Sequence, residues 1–413
     1  MTMPHQQPAS PPLAGVKVLE LARILAGPWA GQVFADLGAE VIKVEAPAGD
    51  DTRGWGPPFV EGLDEENPSA AYFYSCNRGK RSVTVDFRGP EGQEIIRRMA
   101  AEADILIENF KVGGLAKYGL DYESLKAVNP GLVYCSITGF GQSGPYAARA
   151  GYDFMIQGMG GIMDLTGQPG GEPTKVGVAF ADIFTGLYSV IGVLAALRHR
   201  DATGEGQQVD MSLLDSQVGV LANQAMNYLV SGRAPTRMGN AHPNIVPYQV
   251  FPSSDGHLII AVGSDNQFQK LCAILGATDI AAEPAYADNA GRVANRDRLV
   301  ARIAEYTKAF TRDDLLARLA AAHVPAGPIN TVADVFDDPQ VVHRGMRIDL
   351  PEGEGDNATV PGVRTPITLS GTPLSYRHAS PKLGADTRAV LTGLGYGEEE
   401  IAALAEAGVI RRP

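Results

Sequence analysis

Short apolar runs alternate with helical patterns along the first half of the chain. The β-branched runs Val16 to Leu21 and Glu40 to Glu45 predict strands, and residues 27–37 between them have helical spacing. Further strands are predicted at 81–87, 104–108, 131–138 and 208–213, and further helices at 90–102, 183–197 and 214–229. Because strands separated by helices pair in parallel, with helices on both faces, this order predicts an α/β fold.

The pattern changes after residue 230. A short strand at Leu258 to Val262 is followed by helical patterns such as Asn295 to Phe310, and Thr311 with Asp314 resembles a capping box before another helix. These elements predict a smaller α+β domain. Two short helices are expected near the C-terminus, after Asp386 and Gly397.

Length and charge narrow the class of protein. The 413 residues exceed the usual size of a single core, so two domains are expected. A composition of 45% hydrophobic and 20% charged residues is that of a folded globular chain. The net charge of −12 would repel a phosphate backbone, so no nucleic-acid partner is expected.

Several features bear on location. Residues 1–12 are polar and proline-rich and predict a flexible tail without the pattern of a secretory signal. The longest apolar stretch, 183–197, is shorter than the ~20 residues that span a bilayer, so it predicts a buried helix and no membrane association. The three cysteines, Cys76, Cys135 and Cys272, form no CxxC pair, which is typical of a reducing compartment and predicts a cytoplasmic protein.

The first turn between strand and helix, LARILAGPWAG, is rich in glycine. Backbone N–H groups and the helix dipole can hold a phosphate or a carboxylate at such a turn. Gly27, Gly31 and Gly38 lack the spacing of a dinucleotide fingerprint, although Glu45 ends the second strand where a ribose-binding acid would lie. The alternative is that these glycines only permit close helix packing.

Two basic clusters stand out in this acidic chain. They contain Arg78, Lys80 and Arg81, and then Asn109, Lys111 and Lys117. One interpretation is a solvated charged face. The other is a site for an anionic ligand, because both clusters flank the predicted carboxyl ends of parallel strands, where open α/β sheets bind ligands.

Asp182 directly precedes the apolar helix predicted at 183–197. The simplest interpretation is an N-cap residue whose side chain accepts hydrogen bonds from backbone N–H groups. The same bonds and the helix dipole would keep the carboxylate ionised at pH 7, the state that a nucleophile needs.

Other catalytic constellations lack support in the sequence. The seven histidines include no HExxH motif, so no metal site is expected. The serines form no GxSxG elbow, and Cys76 has basic neighbours but no visible partner histidine.

A resemblance to a known family extends over nearly the whole chain. The blocks that carry it are VKVLELARILAGP, LGAEVIKVE, CNRGKRS, IENF, GYD, ADIFTGL and TGEGQQVDMSLLD. In this order they resemble the family III CoA-transferases, of the formyl-CoA transferase and carnitine CoA-transferase type. DDTRGWGPPF and GNAHPNIVPYQVF look most similar to the succinyl-CoA:glutarate (hydroxymethylglutarate) CoA-transferases.

The resemblance implies a Rossmann-like large domain with a parallel sheet built from both chain ends, a smaller α+β domain and an interlocked homodimer. On this basis, residues 1–12 are the flexible tail, 13–205 and 351–413 form the large domain, 231–330 form the small domain, and 206–230 and 331–350 are linkers.

The resemblance also implies the site. Asp182 corresponds to the catalytic carboxylate, in place of a simple N-cap. Its implied neighbours are Leu25, Tyr152, Asp153, Gly263 and Ser264. The implied CoA contacts are Arg23, Leu25, Ala26, Lys80, Arg81, Asn109, Phe110 and Lys117. Gly263–Asn266 corresponds to a loop that closes over the site in relatives, but it has fewer glycines than some of them. Arg53, Arg237 and His242 lie in the glutarate-like blocks and either bind a distal carboxylate or have structural roles.

The activity implied by the resemblance is transfer of CoA from an acyl-CoA donor, expected to be succinyl-CoA, to a carboxylic acid acceptor, expected to be a dicarboxylate such as glutarate. Aspartyl anhydride and aspartyl-CoA thioester intermediates carry the transfer. The CoA thioester is the substrate, and no metal or permanently bound cofactor is expected, because exchange of a thioester between two carboxylates is nearly isoenergetic.

Two alternatives remain. An α-methylacyl-CoA racemase would have a histidine where Tyr152 stands, and tyrosine is a poor base at neutral pH. The second alternative is an acyl-CoA-binding protein without catalytic activity.

Overall fold

The computed structural model of the chain describes residues 10–60, 68–351 and 359–411. In the first part of the chain, strands alternate with helices. The elements are β1 (Lys17–Glu20), α1 (Ala26–Asp36), β2 (Glu40–Glu45), α2 (Ala71–Tyr74), β3 (Lys80–Thr84), α3 (Pro90–Glu102), β4 (Ile105–Glu108), α4 (Tyr122–Lys126), β5 (Val133–Thr138), α5 (Asp153–Met159), α6 (Ile162–Leu165), α7 (Phe180–Thr203), β6 (Gln208–Ser212), α8 (Leu213–Gly219) and α9 (Ala222–Ser231).

Six of these strands form one parallel sheet in the order β3-β2-β1-β4-β5-β6. In register, Leu19 of β1 lies beside Ile42 on one side and Leu106 on the other. This order is that of doubly wound α/β folds, in which ligands bind where the strand order reverses, here between β1 and β4. The predicted α/β fold with a parallel sheet is confirmed.

The sheet is covered on both faces. One apolar cluster joins Phe34 of α1 and Val193 of α7 to strand residues such as Ile107. The other joins Ile95 and Ile96 of α3 to strand residues such as Leu106. Because successive strand side chains point to opposite faces, the consecutive apolar residues of β4 supply both clusters.

The single helix predicted at 214–229 is wrong. The structure has α8 and α9 instead, and Ala222, where α9 begins, has a φ of 47°. A residue in this left-handed region cannot continue a right-handed helix. The periodicity of the apolar residues continues across this break, so the sequence pattern did not reveal it.

The remaining elements follow in chain order. They are β7 (Tyr248–Pro252), β8 (His257–Ala261), α10 (Asp265–Leu275), α11 (Thr278–Ala281), α12 (Asn289–Ala294), α13 (Arg296–Thr307), α14 (Arg312–Ala321), β9 (Ala326–Gly327), α15 (Val332–Asp337), α16 (Pro339–His343), β10 (Arg347–Pro351), β11 (Thr359–Val363), α17 (Thr387–Gly393) and α18 (Glu398–Glu406). Strands β7, β8 and β9 form an antiparallel sheet, and β10 pairs antiparallel with β11.

The chain divides into two compact units. The first unit contains the described residues up to Ile162, Lys175–Val230 and the described residues from Gln340 onward, and the second contains Met163–Thr174 and Ser231–Pro339. The segment 206–230, expected to be a linker, carries β6, α8 and part of α9 in the first unit. The second unit has its own apolar core around Phe251, Phe268 and Leu299.

The C-terminal segment packs on the edge of the six-stranded sheet. Asp386 accepts a hydrogen bond from the Ser82 N–H at 2.9 Å, and the Thr387 hydroxyl accepts one from the Thr84 N–H at 3.1 Å. Val390 and Leu391 of α17 join the same apolar cluster as Val83. Both ends of the described chain therefore build the first unit.

Helix α7 is long and apolar enough to cross a membrane by length and composition, which is weak evidence on its own. Val190, Val193, Ala196 and Leu197 are buried among the sheet and helix residues of the first unit. This packing is that of a core helix. Residues 1–9 of the predicted tail lie outside the described residues.

Candidate active site

Asp182 is the third residue of α7, and the N-cap position belongs to Ala179. The capping acceptor is Asp153, the first residue of α5: its Oδ1 accepts hydrogen bonds from the N–H groups of Ala181 at 2.8 Å and Asp182 at 3.3 Å. These are donors that an N-cap side chain would satisfy. The interpretation of Asp182 as an N-cap residue is therefore wrong, and its carboxylate is left available for other contacts.

Burial and the nearby carboxylate of Asp153 raise the pKa of Asp182 to about 7. The sequence led us to expect a carboxylate kept fully ionised by backbone N–H groups. The structure differs because Asp153 accepts those hydrogen bonds, and its charge then opposes ionisation of Asp182. A nucleophile with a pKa near the working pH is still ionised in a large fraction of molecules and is more basic than an ordinary carboxylate.

Helix α7 crosses α1 at very close range beside Asp182. A Cβ added to Gly186 would lie 2.7 Å from the Ala26 carbonyl oxygen and 3.2 Å from side-chain atoms of Trp29. Only glycine allows this approach. Asp182 lies four residues before Gly186 and therefore on the same face of α7, the face that packs against α1.

The first turn of α1 presents free backbone donors. Leu25 is its N-cap residue, and the fourth residue, Trp29, donates its N–H to the Leu25 carbonyl at 2.7 Å. Within the described residues, the N–H groups of Leu25, Ala26 and Gly27 have no hydrogen-bond acceptor. Such donors, with the helix dipole, stabilise negative charge.

Tyr72 of α2 belongs to the same site. Burial, and then the negative charges of Asp182, Cys76, Asp153 and Asp50, raise the pKa of its phenol. Its ring also lies edge-on to Trp55, with 5.3 Å between ring centroids. Sequence reasoning missed Tyr72, although the aromatic run AYFY immediately before CNRGKRS was a visible signal.

Several residues expected to contact CoA lie at the carboxyl edge of the sheet. Asn109, which follows β4, accepts a hydrogen bond from the Arg23 N–H at 3.0 Å and donates one to the Arg23 carbonyl at 2.7 Å. These bonds join the ends of β1 and β4, where the strand order reverses. Phe110 lies beside them, and the side chains of Arg23 and Lys117 are exposed.

Lys80 and Arg81 lie elsewhere. They begin β3, so they are at the amino edge of the parallel sheet. Lys80 is fully buried, and its Nζ lies 2.8 Å from Glu20 Oε2, the Pro28 carbonyl and Asn77 Oδ1. Arg81 forms ion pairs with Glu40 and Asp386. The expectation that this basic cluster flanks the carboxyl ends of the strands is therefore wrong, and Lys80 has a structural role.

Arg53 is also occupied by the protein itself. Its guanidinium pairs with Glu45 through two 2.7 Å bonds, donates to Ser69 and to the Pro381 carbonyl, and lies 3.7 Å from the Phe73 ring centroid. A side chain with all these contacts has no free donor pair for a substrate carboxylate. Of the two roles left open for Arg53, this geometry matches the structural one.

The other candidates lie in the second unit. Arg237 pairs with Asp164 at 2.6 Å, and His242 accepts a hydrogen bond from the Asn244 N–H at 3.1 Å. Ser264 is the N-cap residue of α10, and the Gly263 N–H donates to Gln267 at 2.8 Å. Tyr152, in the first unit, is the N-cap residue of α5 and is 67% exposed.

Comparison with known proteins identifies the family. The family model described as CoA-transferase family III matches residues 13–387. The chain is 58% identical to succinate–glutarate CoA-transferase of Agrobacterium fabrum over 393 residues, covering 95% of this chain and 97% of that protein. It is 40% identical to human succinyl-CoA:glutarate CoA-transferase over 401 residues, covering 97% and 90%.

A solved structure agrees. The crystal structure of a CAIB/BAIF family protein from Brucella suis has a TM-score of 0.83 and 63% sequence identity, covering 94% of this chain and 100% of that one. These matches cover nearly the whole chain. The chain therefore belongs to CoA-transferase family III and is a CoA-transferase.

Proposed function

We propose that this chain transfers CoA from succinyl-CoA to glutarate or a similar short dicarboxylate, with Asp182 as the nucleophile. The observation that carries the proposal is the placement of Asp182 on α7, one turn before the Gly186 contact with the start of α1. The substrate pair is supported by the names of the Agrobacterium and human relatives. Relatives named for mesaconate, D-citramalate and oxalate leave those acids as further acceptors to compare.

In the first half-reaction the Asp182 carboxylate attacks the donor thioester carbonyl. The C–S bond breaks, CoA leaves as the thiolate, and a mixed aspartyl–succinyl anhydride remains. The thiolate is a good leaving group because a thiol has a pKa near ~8.5. It then attacks the aspartyl carbonyl, which releases succinate and leaves an aspartyl-CoA thioester.

The second half-reaction follows the reverse order with the acceptor. The acceptor carboxylate attacks the aspartyl thioester, CoA leaves again as the thiolate, and a second anhydride forms. The thiolate attacks the acceptor acyl carbon, which gives the new acyl-CoA and regenerates Asp182. Each attack creates an oxyanion, for which we assign the free N–H groups of Leu25 and Ala26.

Arg23, Asn109, Phe110 and Lys117 are the CoA-contacting residues of this proposal. Asn109 fixes the Arg23 backbone through two hydrogen bonds, and the Arg23 guanidinium pairs with Asp51 at 3.1 Å. The exposed Lys117 provides positive charge near the same edge of an otherwise acidic protein. Tyr152 completes the expected surroundings of Asp182 within the first unit, and the roles of Gly263, Ser264, Arg237 and His242 stay predictions from the sequence.

A homodimer is also proposed. Two helices of the first unit expose large apolar side chains, which on a monomer usually mark an interaction surface. On α7 these are Leu187, Tyr188 and Ile191, and on α9 they are Met226, Leu229 and Val230. Light scattering on the purified protein should give twice the mass of one chain. A cytoplasmic location is the expected one, and the three free cysteines are compatible with it.

The nucleophile is tested with Asp182→Asn and Asp182→Ala. Both should abolish transfer from succinyl-CoA to each acid of a panel while the dissociation constant for CoA stays similar. Wild-type protein incubated with succinyl-CoA alone should gain the mass of CoA, less one water, on the peptide containing Asp182. An adduct on another residue, or transfer retained by Asp182→Asn, would contradict the assignment.

A further inference from the structure

The turn between β1 and α1 contains a strained residue. Ile24 has a φ of 71°, in the left-handed region. A β-branched side chain is rarely found there, because its Cβ crowds the backbone. Strain of this kind persists only where the surrounding structure holds it, and it is concentrated at functional sites.

The backbone groups of this turn are held from several directions. The Ile24 N–H donates to the Asp50 carboxylate, at 3.2 Å to Oδ2 and 3.4 Å to Oδ1, and the Cys76 thiol lies 3.7 Å from the Ile24 carbonyl. Asn109 holds both backbone groups of Arg23. Lys43 donates to the Ala22 carbonyl at 2.9 Å. The free N–H groups begin at the next residue, Leu25.

Asp50 is itself fixed by buried partners. Its Oδ2 pairs with Lys43 at 2.9 Å, and its Oδ1 accepts hydrogen bonds from the Thr52 N–H at 3.0 Å and the Thr52 hydroxyl at 2.8 Å. Its own N–H donates to Glu45 at 3.0 Å. Asp50 is only 4% exposed, so its carboxylate is built into the protein and is not a surface group.

We propose that Asp50 is a positioning residue for CoA transfer: by accepting the Ile24 N–H it holds Ile24 in the left-handed conformation that directs the N–H groups of Leu25 and Ala26 to the acyl oxygen at Asp182. This inference rests on the proposed function. Asp50 does not touch the reacting atoms, and its effect is transmitted through the Ile24 backbone.

A double-mutant cycle tests this role, with Asp50→Ala, Ile24→Gly and the double variant. Asp50→Ala should lower kcat by about 100-fold, the cost typical of a small misplacement of reacting groups, with a much smaller change in KM. Glycine adopts a positive φ without strain. In the Ile24→Gly background the same Asp50→Ala change should therefore lower kcat by about tenfold or less, compared with about 100-fold in the wild-type background.

Asp36→Ala is the matched control. Asp36 is an equally buried carboxylate, paired with Arg78, at the other end of α1. Its loss should lower Tm as Asp50→Ala does, while kcat of the folded protein stays near wild type. If Asp50→Ala does not fold, the cycle is run with Asp50→Leu, which has a similar volume but no acceptor for the Ile24 N–H, and the same coupling to Ile24 is expected.

Two results would overturn the inference: additive effects of Asp50 and Ile24 on kcat, or a loss of kcat in Asp36→Ala as large as in Asp50→Ala. Either result, found while Asp182→Asn is inactive, would leave the proposed function in place. Transfer retained by Asp182→Asn would instead contradict the proposed function.

Discussion

The raised pKa of Asp182 predicts a rate that depends on pH near neutrality. In the proposed mechanism only the ionised carboxylate of Asp182 attacks the thioester, and burial together with the charge of Asp153 raises the pKa of Asp182 to about 7. The ionised fraction is then about one tenth at pH 6 and about nine tenths at pH 8. The value of kcat/KM, which reports the free enzyme, should therefore rise about tenfold over this interval.

Asp153→Asn separates the charge of Asp153 from its hydrogen bonds. The amide oxygen still accepts from the N–H groups of Ala181 and Asp182, while the bond that Oδ2 accepts from Gln157 at 2.7 Å is lost. Removal of a nearby like charge should lower the pKa of Asp182 by about one unit, or ~1.4 kcal/mol. Burial remains as the larger cause, so the pKa should stay above that of an ordinary aspartate.

The assay is single-turnover formation of the CoA adduct on Asp182, together with kcat/KM, from pH 5.5 to 8.5 at constant ionic strength. With the pKa at about 6, the ratio of kcat/KM at pH 6 to that at pH 8 should rise about fivefold in Asp153→Asn. Asp201→Asn is the control, because it also removes one negative charge. Asp201 is exposed and lies about 28 Å from Asp182 along α7, beyond the range of screened charges.

A wild-type kcat/KM that is flat between pH 6 and 8 would contradict a raised pKa of Asp182. A shift of the pH profile in Asp201→Asn as large as in Asp153→Asn would contradict the role of Asp153. In the first case Asp182 would have an ordinary pKa, and in the second the shift would report net charge and not the Asp153 contact.

Two further pairs of substitutions probe packing and charge. Gly186→Ala should destabilise the protein by roughly 1–3 kcal/mol and lower kcat, because the new Cβ would lie 2.7 Å from the Ala26 carbonyl oxygen. Gly219→Ala is its control: the new Cβ would have no atom within 4 Å, so neither the thermal midpoint nor kcat should change appreciably. Lys80→Gln should cost about 3–5 kcal/mol of unfolding free energy, because it breaks a fully buried ion pair with Glu20, and leave CoA affinity unchanged in the folded protein. Lys117→Gln should instead weaken CoA binding, most strongly at low salt, without changing the unfolding free energy; titration and scanning calorimetry measure the two quantities. Weaker CoA binding by a normally stable Lys80→Gln protein would contradict the structural role of Lys80.

The local pattern of residues was enough to locate most elements of the first unit. β2 and α3 have the bounds that their apolar spacing predicted, because alternation and helical periodicity report which face of an element is buried. The position of Asp182 at the start of an apolar helix was visible for the same reason. The break between α8 and α9 was not, because it depends on the backbone conformation of Ala222.

Contacts between distant residues decided the rest. Lys80 lies in a basic block and looks like a phosphate ligand in the sequence, but the fold places Glu20, sixty residues away, at its ammonium group. Asp153 caps a helix that begins far along the chain, and its carboxylate therefore shifts the pKa of Asp182. No pattern within either segment contains this information.

The order of strands and helices and the family likeness follow from the sequence alone, because they depend on local spacing and on motifs. The tertiary structure alone decided which charged groups are paired inside the protein, which carboxylate caps α7 and which N–H groups of α1 stay free. The physical reason is that burial and pairing depend on all the groups surrounding a side chain, and folding brings those groups together from separate parts of the chain.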